Sequence, residues 1–197
     1  MRKMALIALS LSLAAAPSAA LAGWKVMPQK QAAAVAKSSL TVTPKSDWNR
    51  WSSRPSKKGE IWTLDGVSLN ELSFFAGIDG GEAIYKERNK KDKPLPKFDP
   101  KMALPDIVQI FEASNRIILE TPLFKVDQVE PAKLAGHNAV RFTYEYTVKD
   151  EEVRRKGEAR AAVIGGKLYL INFAAPAIHY YDAGVDEARA IMDSAKL

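Results

Sequence analysis

The strongest hydrophobic pattern in the chain is strict alternation from Val140 to Val148. Val140, Phe142, Tyr144, Tyr146 and Val148 interleave with Arg141, Thr143, Glu145 and Thr147. That period of two marks a strand with one covered face. Related signals flank it. Phe124, Val126 and Val129 open an earlier strand, and Gly136-His137-Asn138 supplies the turn between them. Gly157 to Ile164 and Lys167 to Ala174 follow, joined by Gly165-Gly166. Two adjacent glycines suit a type I′ turn, whose central residues both need positive φ. A two-residue turn there sets Ile164 opposite Lys167, Val163 opposite Leu168, Ala162 opposite Tyr169, Ala161 opposite Leu170 and Arg160 opposite Ile171. Ala159 and Ala161 then form a shallow surface on which a helix can lie close. The end of the chain supplies that helix: Tyr181, Val185, Ala188, Met192 and Ala195 make one apolar stripe over about 180–195.

Pro105 and Asp106 are helix-start residues. Ile107, Val108, Ile110, Phe111 and Ser114 follow at helical spacing, which predicts an amphipathic helix over 103–115. Ile61–Leu64 and Val67–Ile78 read as a hairpin turned at Asp65-Gly66, with a further short strand over 82–85. The charged, proline-containing stretch Lys86–Lys101 reads as a mobile surface loop. Residues 23–60 read as an irregular, Trp-containing opening. It holds an Ala-rich helix over Gln29–Lys37 and a short β run over Leu40–Thr43. The expected organisation is therefore three parts: residues 1–22, the opening 23–60, and a single α+β domain over 61–197, an antiparallel β-sheet with helices packed on it.

Residues 1–22 change the picture of where the chain works. Arg2 and Lys3 precede the apolar run Met4–Leu13, Pro17 ends it, and Ala20-Leu21-Ala22 gives the small-x-small pattern of a cleavage site. The run is shorter than the roughly 20 residues that span a bilayer, so a cleaved leader is expected rather than an anchor. The expectation is a periplasmic or secreted protein with cleavage at Ala22-Gly23. Position 23 is not Cys, so no lipid is expected on it. Losing Arg2 and Lys3 lowers the formal charge from +6 to +4. That balance is too mild to argue for nucleic acid. The chain has no Cys, which removes disulfides, thiol catalysis and Cys-based metal sites.

Candidate chemistry is sparse. Two histidines, His137 and His179, are too few for a His-rich metal site. There is no phosphate loop, no Gly-x-Ser-x-Gly and no His-Glu-x-x-His, and no cofactor is implied. Arg141, Glu145, Glu158 and Arg160 fall on adjacent expected strands and would form a charge ladder, each cross-strand pair worth about 0.2–1 kcal/mol. Such a ladder is a solvated sheet face or a polar pocket for an anionic or zwitterionic ligand. Trp48, Trp51 and Trp62 are the other cluster. Trp is favoured at binding surfaces for its size and partial polarity, and it equally anchors an irregular segment onto a sheet.

The runs Gly136–Tyr146 and Gly165–Phe173, with the segment Ala175-Pro176 to Tyr181-Asp182, resemble the PsbP-like superfamily, over about residues 104–197. That family includes the extrinsic oxygen-evolving-complex subunit of photosystem II. The resemblance implies an α-β-α sandwich around an antiparallel sheet, in proteins that are mostly non-enzymatic accessory or assembly factors. It brings no catalytic motif. The expected function is that of an exported, non-enzymatic accessory protein with an unknown protein or envelope component as partner. The alternatives are a binding module for a small or anionic ligand and a hydrolase with an unrecognised site.

Overall fold

A computed structural model describes residues 23–149 and 151–197, and the expected leader over 1–22 lies outside them. The main sheet has eight strands. They are β1 (Trp24–Met27), β4 (Trp48–Trp51), β5 (Gly59–Thr63), β6 (Glu71–Ile78), β7 (Phe124–Leu134), β8 (His137–Thr147), β9 (Arg154–Ile164) and β10 (Lys167–Pro176). Short strands β2 (Ala33–Ala34) and β3 (Thr41–Val42) pair separately. The helices are α1 (Leu104–Ile118) and α2 (Tyr180–Asp193). The spatial order is β1-β4-β5-β6-β10-β9-β8-β7, antiparallel throughout. The fold is thus the expected α+β class.

The register expected at Gly165-Gly166 is the one observed. Both glycines have positive φ, at 57° and 74°, and Ile164 pairs with Lys167 through to Arg160 with Ile171. The turn before β8 sits one step earlier than expected, at Ala135-Gly136 with φ of 49° and 81°, and His137 is already in the strand. Val126 and Val129, which differ in parity, are reconciled by a register shift between Val126 and Gln128. A bulge of this kind adds one residue to one strand.

Each face of the sheet carries one helix. Ile107, Val108, Ile110 and Phe111 of α1 pack with Phe75, Leu168, Leu170, Phe142, Ala159 and Ala161. The helix starts at Leu104 with Pro105 in its first turn, and the Asp106 carboxylate accepts the Ala103 N–H at 2.9 Å. Tyr181, Val185, Ala188 and Met192 of α2 pack on the opposite face, against Phe74, Ile171, Phe173 and Ala162. The expected docking of the terminal helix on Ala159 and Ala161 is therefore corrected. Those alanines lie under α1, and α2 approaches β10 closely through Gly184, where a Cβ would fall 2.7 Å from Phe173 Cζ.

The opening is not irregular. β1 and β4 extend the sheet beyond β5, with Trp51 paired to Ile61 and Arg50 to Trp62. Gln29–Lys37 is not a helix: Ala36 and Lys37 have φ of 53° and 55°. The buried Glu60 carboxylate accepts the Ala36 N–H at 3.1 Å and the Trp62 Nε1–H at 2.8 Å. A nine-residue isolated helix gains little in water, and burial of Val35, Ala36 and Leu40 decides the shape instead. The hairpin β5–β6 forms as expected, though β6 starts at Glu71. Asn70 gathers the loop before it, its Oδ1 accepting Leu64 N–H at 2.7 Å and the Thr63 hydroxyl at 2.8 Å. Residues 82–85 form no strand.

Candidate functional site

The four charged residues expected in one ladder are divided. Glu158 on β9 is 0% exposed. Arg141 on β8 binds it in a fork, Nε donating to Oε1 at 2.8 Å and the terminal nitrogen to Oε2 at 2.7 Å. Arg189 of α2 closes over it from above, donating at 2.8 and 3.0 Å to Oε2. Arg141 also reaches Glu130 on β7 at 3.0 Å. Arg160 is occupied by Asp193, at the end of α2. Glu145 stands apart and pairs with Arg154 at 3.3 Å and Lys156 at 3.9 Å. The face is therefore a clasp between sheet and helix, and each charged candidate has a partner within the chain.

Burial alone raises the pKa of the Glu158 carboxyl. The hydrogen bonds and charges of Arg141 and Arg189 outweigh it, and the group lies below the usual carboxylate range. Arg141 is held above the ordinary guanidinium value by its bonds to Glu158, against desolvation. A carboxylate held ionised in this way is an acceptor and a tether; it has no proton to give at neutral pH. Sequence reasoning found Arg141 and Glu158 but missed Arg189, Glu130 and Asp193. The only local signal for Arg189 is its place beside Ala188 on the apolar stripe of the last helix.

The tryptophans separate in the same manner. Trp48 and Trp62 are 0% exposed and belong to the core under α2. Trp62 packs edge-on to Phe74 at 4.8 Å. Trp51 is partly exposed and stacks with Trp24, at 6.1 Å between centroids. Trp24 is 41% exposed on the outer strand β1. The exposed aromatic feature is thus the Trp24–Trp51 pair, and the sequence cluster merges it with core.

A second polar group lies on the α1 face, unforeseen from sequence. The Tyr144 hydroxyl donates to Asn172 Oδ1 at 2.6 Å, Tyr85 bonds Asn115, and Ser73 bonds the Glu71 carboxylate. Glu71 is of intermediate exposure as a residue, yet burial of its carboxyl pushes the pKa up against the pull of Ser73 and Arg155. Burial likewise raises Tyr85 and Tyr144. The space here is filled: the Tyr144 ring occupies the volume that a side chain at Gly157 would need.

No protein-family model and no curated protein matches the sequence. Solved structures do. The chain is similar to cyanobacterial PsbP (CyanoP) from Synechocystis sp. PCC 6803, with a TM-score of 0.52 and 13% identity, covering 94% of this chain and 98% of that one. It is also matched to LpqN, involved in cell envelope biogenesis of Mycobacterium tuberculosis (TM-score 0.35, 14% identity, 89% and 78% covered). A third match is the immunity protein TplEi from Pseudomonas aeruginosa (TM-score 0.42, 10% identity, 77% and 45% covered). The two looser superpositions carry no weight for the fold. The first shows that the chain has a PsbP-like fold, over nearly its whole described length and beyond the half in which the sequence resemblance lies.

Proposed function

We propose that this chain is an exported accessory protein that works through protein or envelope contacts rather than by turnover. The carrying observation is the Glu158 clasp. Arg141, Glu158 and Arg160, three of the four charged residues singled out from the sequence, are taken up in ion pairs that hold α2 to the sheet, and Glu145 is paired with Arg154 and Lys156. The leader pattern of residues 1–22 supports export, and the PsbP-like fold is consistent with an accessory role. Among the described residues no helix is long and apolar enough to cross a membrane.

The test is fractionation and gentle crosslinking of cells producing the epitope-tagged full chain. The reading expects processed protein in an exported fraction, with a reproducible crosslinked partner or membrane association. Unprocessed protein confined to the cytosol, or recovery of the protein alone from every fraction, overturns it. The stacked Trp24–Trp51 pair favours a second reading, a module for a small ligand. In that case ligand binding shifts the Trp emission, and Trp24→Ala abolishes the shift.

A further inference from the structure

The net charge of the chain is unevenly placed. Residues 86–101 hold seven Lys or Arg and three Asp or Glu, while the rest of residues 23–197 holds twenty of each. The whole excess of positive charge beyond the leader therefore sits in one loop of sixteen residues.

That loop is held at its neck and exposed at its tip. Leu95 and Phe98 are buried at 4% and 1% exposure. Phe98 closes the neck through Gly81 N–H to its carbonyl at 2.8 Å and its own N–H to the Glu82 carbonyl at 2.9 Å. Lys86 N–H bonds the Pro55 carbonyl at 2.8 Å. Every residue from Arg88 to Pro94 is exposed. Lys97 is taken by Glu87, and Lys93 by Glu120 at 2.6 Å. Among the described residues Lys86, Arg88, Lys90, Lys91 and Lys101 form no ion pair. The Lys93–Glu120 bond sets the tip beside the end of α1, where Ile118 and Leu123 are 39% and 64% exposed.

We infer that the 88–94 tip is a docking element for an anionic bilayer surface. The inference rests on the exported reading above. The tip is solvent-exposed from Arg88 to Pro94, carries the long cationic side chains of Arg88, Lys90 and Lys91, and has the exposed apolar side chains of Ile118 and Leu123 beside it. An acidic protein segment would call for donors fixed at set positions, since its carboxylates only accept hydrogen bonds. A headgroup layer asks only for charge and a few protruding apolar groups, with no register. Such cations are each worth about fivefold in affinity near an anionic surface. Asp92 in the tip, and Glu151 and Glu152 on the neighbouring β8–β9 connection, oppose the contact, so it is weak and salt-sensitive.

The experiment is sedimentation of the purified protein with phosphatidylcholine vesicles, with and without phosphatidylglycerol, at low and high salt. Binding is expected only to the phosphatidylglycerol vesicles, falling as salt rises. R88Q/K90Q/K91Q should weaken it by roughly 100-fold, three steps of about fivefold. A control losing the same charge elsewhere, K25Q/K45Q/K133Q, should bind like the parent. Circular dichroism of both variants should match the parent. Equal binding to neutral vesicles, no binding to anionic ones, or equal loss in variant and control overturns the inference. If the tip variant keeps its crosslinked envelope partner while the parent ignores vesicles, the docking inference fails and the accessory reading stands. If the protein is never exported, that reading fails whatever the vesicles show.

Discussion

Neutralising Glu158 tests how the second helix is held. Glu158→Gln keeps the shape of the side chain but presents an amide N–H₂ to guanidinium donors. It leaves Arg141 and Arg189 facing each other across a site that is 0% exposed. Deleting one partner of a buried ion pair costs about 3–5 kcal/mol. Here the two arginines keep side-chain exposures of 23% and 37%, so water offsets part of the loss. The expected cost is about 3 kcal/mol, the lower end of that range. At this chain length it corresponds to a melting temperature lower by about 6–12 °C. Urea unfolding followed by the buried Trp48 and Trp62 reads it directly. The pH dependence fixes the sign. The folded pKa of Glu158 is depressed, so its stabilising contribution is fully present above the ordinary value of 4.5 and is lost as pH falls through the folded pKa. The gap between the parent and Glu158→Gln should therefore close in acid. A variant within about 0.5 kcal/mol of the parent at neutral pH, or a gap that ignores pH, refutes the clasp. The apolar triple replacement R141M/E158L/R189M should recover most of the loss, since it removes the charges together.

Glu71 should behave in the opposite way. Burial raises its folded pKa, so its penalty appears as pH rises through that value, and Glu71→Gln should be more stable than the parent at neutral pH and equal to it in acid, measured by the same unfolding curves. Gly184→Ala should destabilise by about 1–2 kcal/mol rather than give the gain of about 1 kcal/mol usual inside a helix, because its Cβ would meet Phe173; a stabilised variant would show that α2 is free to shift. Gly157→Ala should cost about 3 kcal/mol or more by displacing the Tyr144 ring and breaking its bond to Asn172. Tyr144→Val should be partly compensating in the double variant, and strict additivity would refute the contact.

What the sequence makes legible is local. Alternation in β8, the glycine pair before β10 and the stripe on α2 each depend on residues within a few positions, and those elements fall where expected. The opening fails because its shape depends on distant groups: the Ala36 N–H finds its acceptor on Glu60, twenty-four residues away, and β4 exists because β5 offers it an edge. The clasp is half legible for the same reason. Arg141 and Glu158 lie on neighbouring strands of a meander that can be counted out from its turns. Arg189 arrives from a helix whose face is set by the whole sheet.

That choice of face follows from strand order. Successive antiparallel pairings through β10, β9 and β8 leave β6 and β7 parallel, so β6, α1 and β7 form a crossover over one face. Crossovers of this kind are right-handed in nearly all folds, which fixes the side α1 covers once the order is known. The order itself depends on β10 inserting between β6 and β9, a pairing across about a hundred residues. Ala159 and Ala161 are small because Phe111 and its neighbours in α1 lie over them. With that side taken, α2 is left the face of Phe173 and Ile171, and it meets this bulkier surface by placing Gly184 over Phe173. Small residues on a strand thus mark the close approach of some helix. Which helix approaches is decided by topology, and the charged residues of the winning helix, here Arg189 and Asp193, decide what becomes of the charges beneath it.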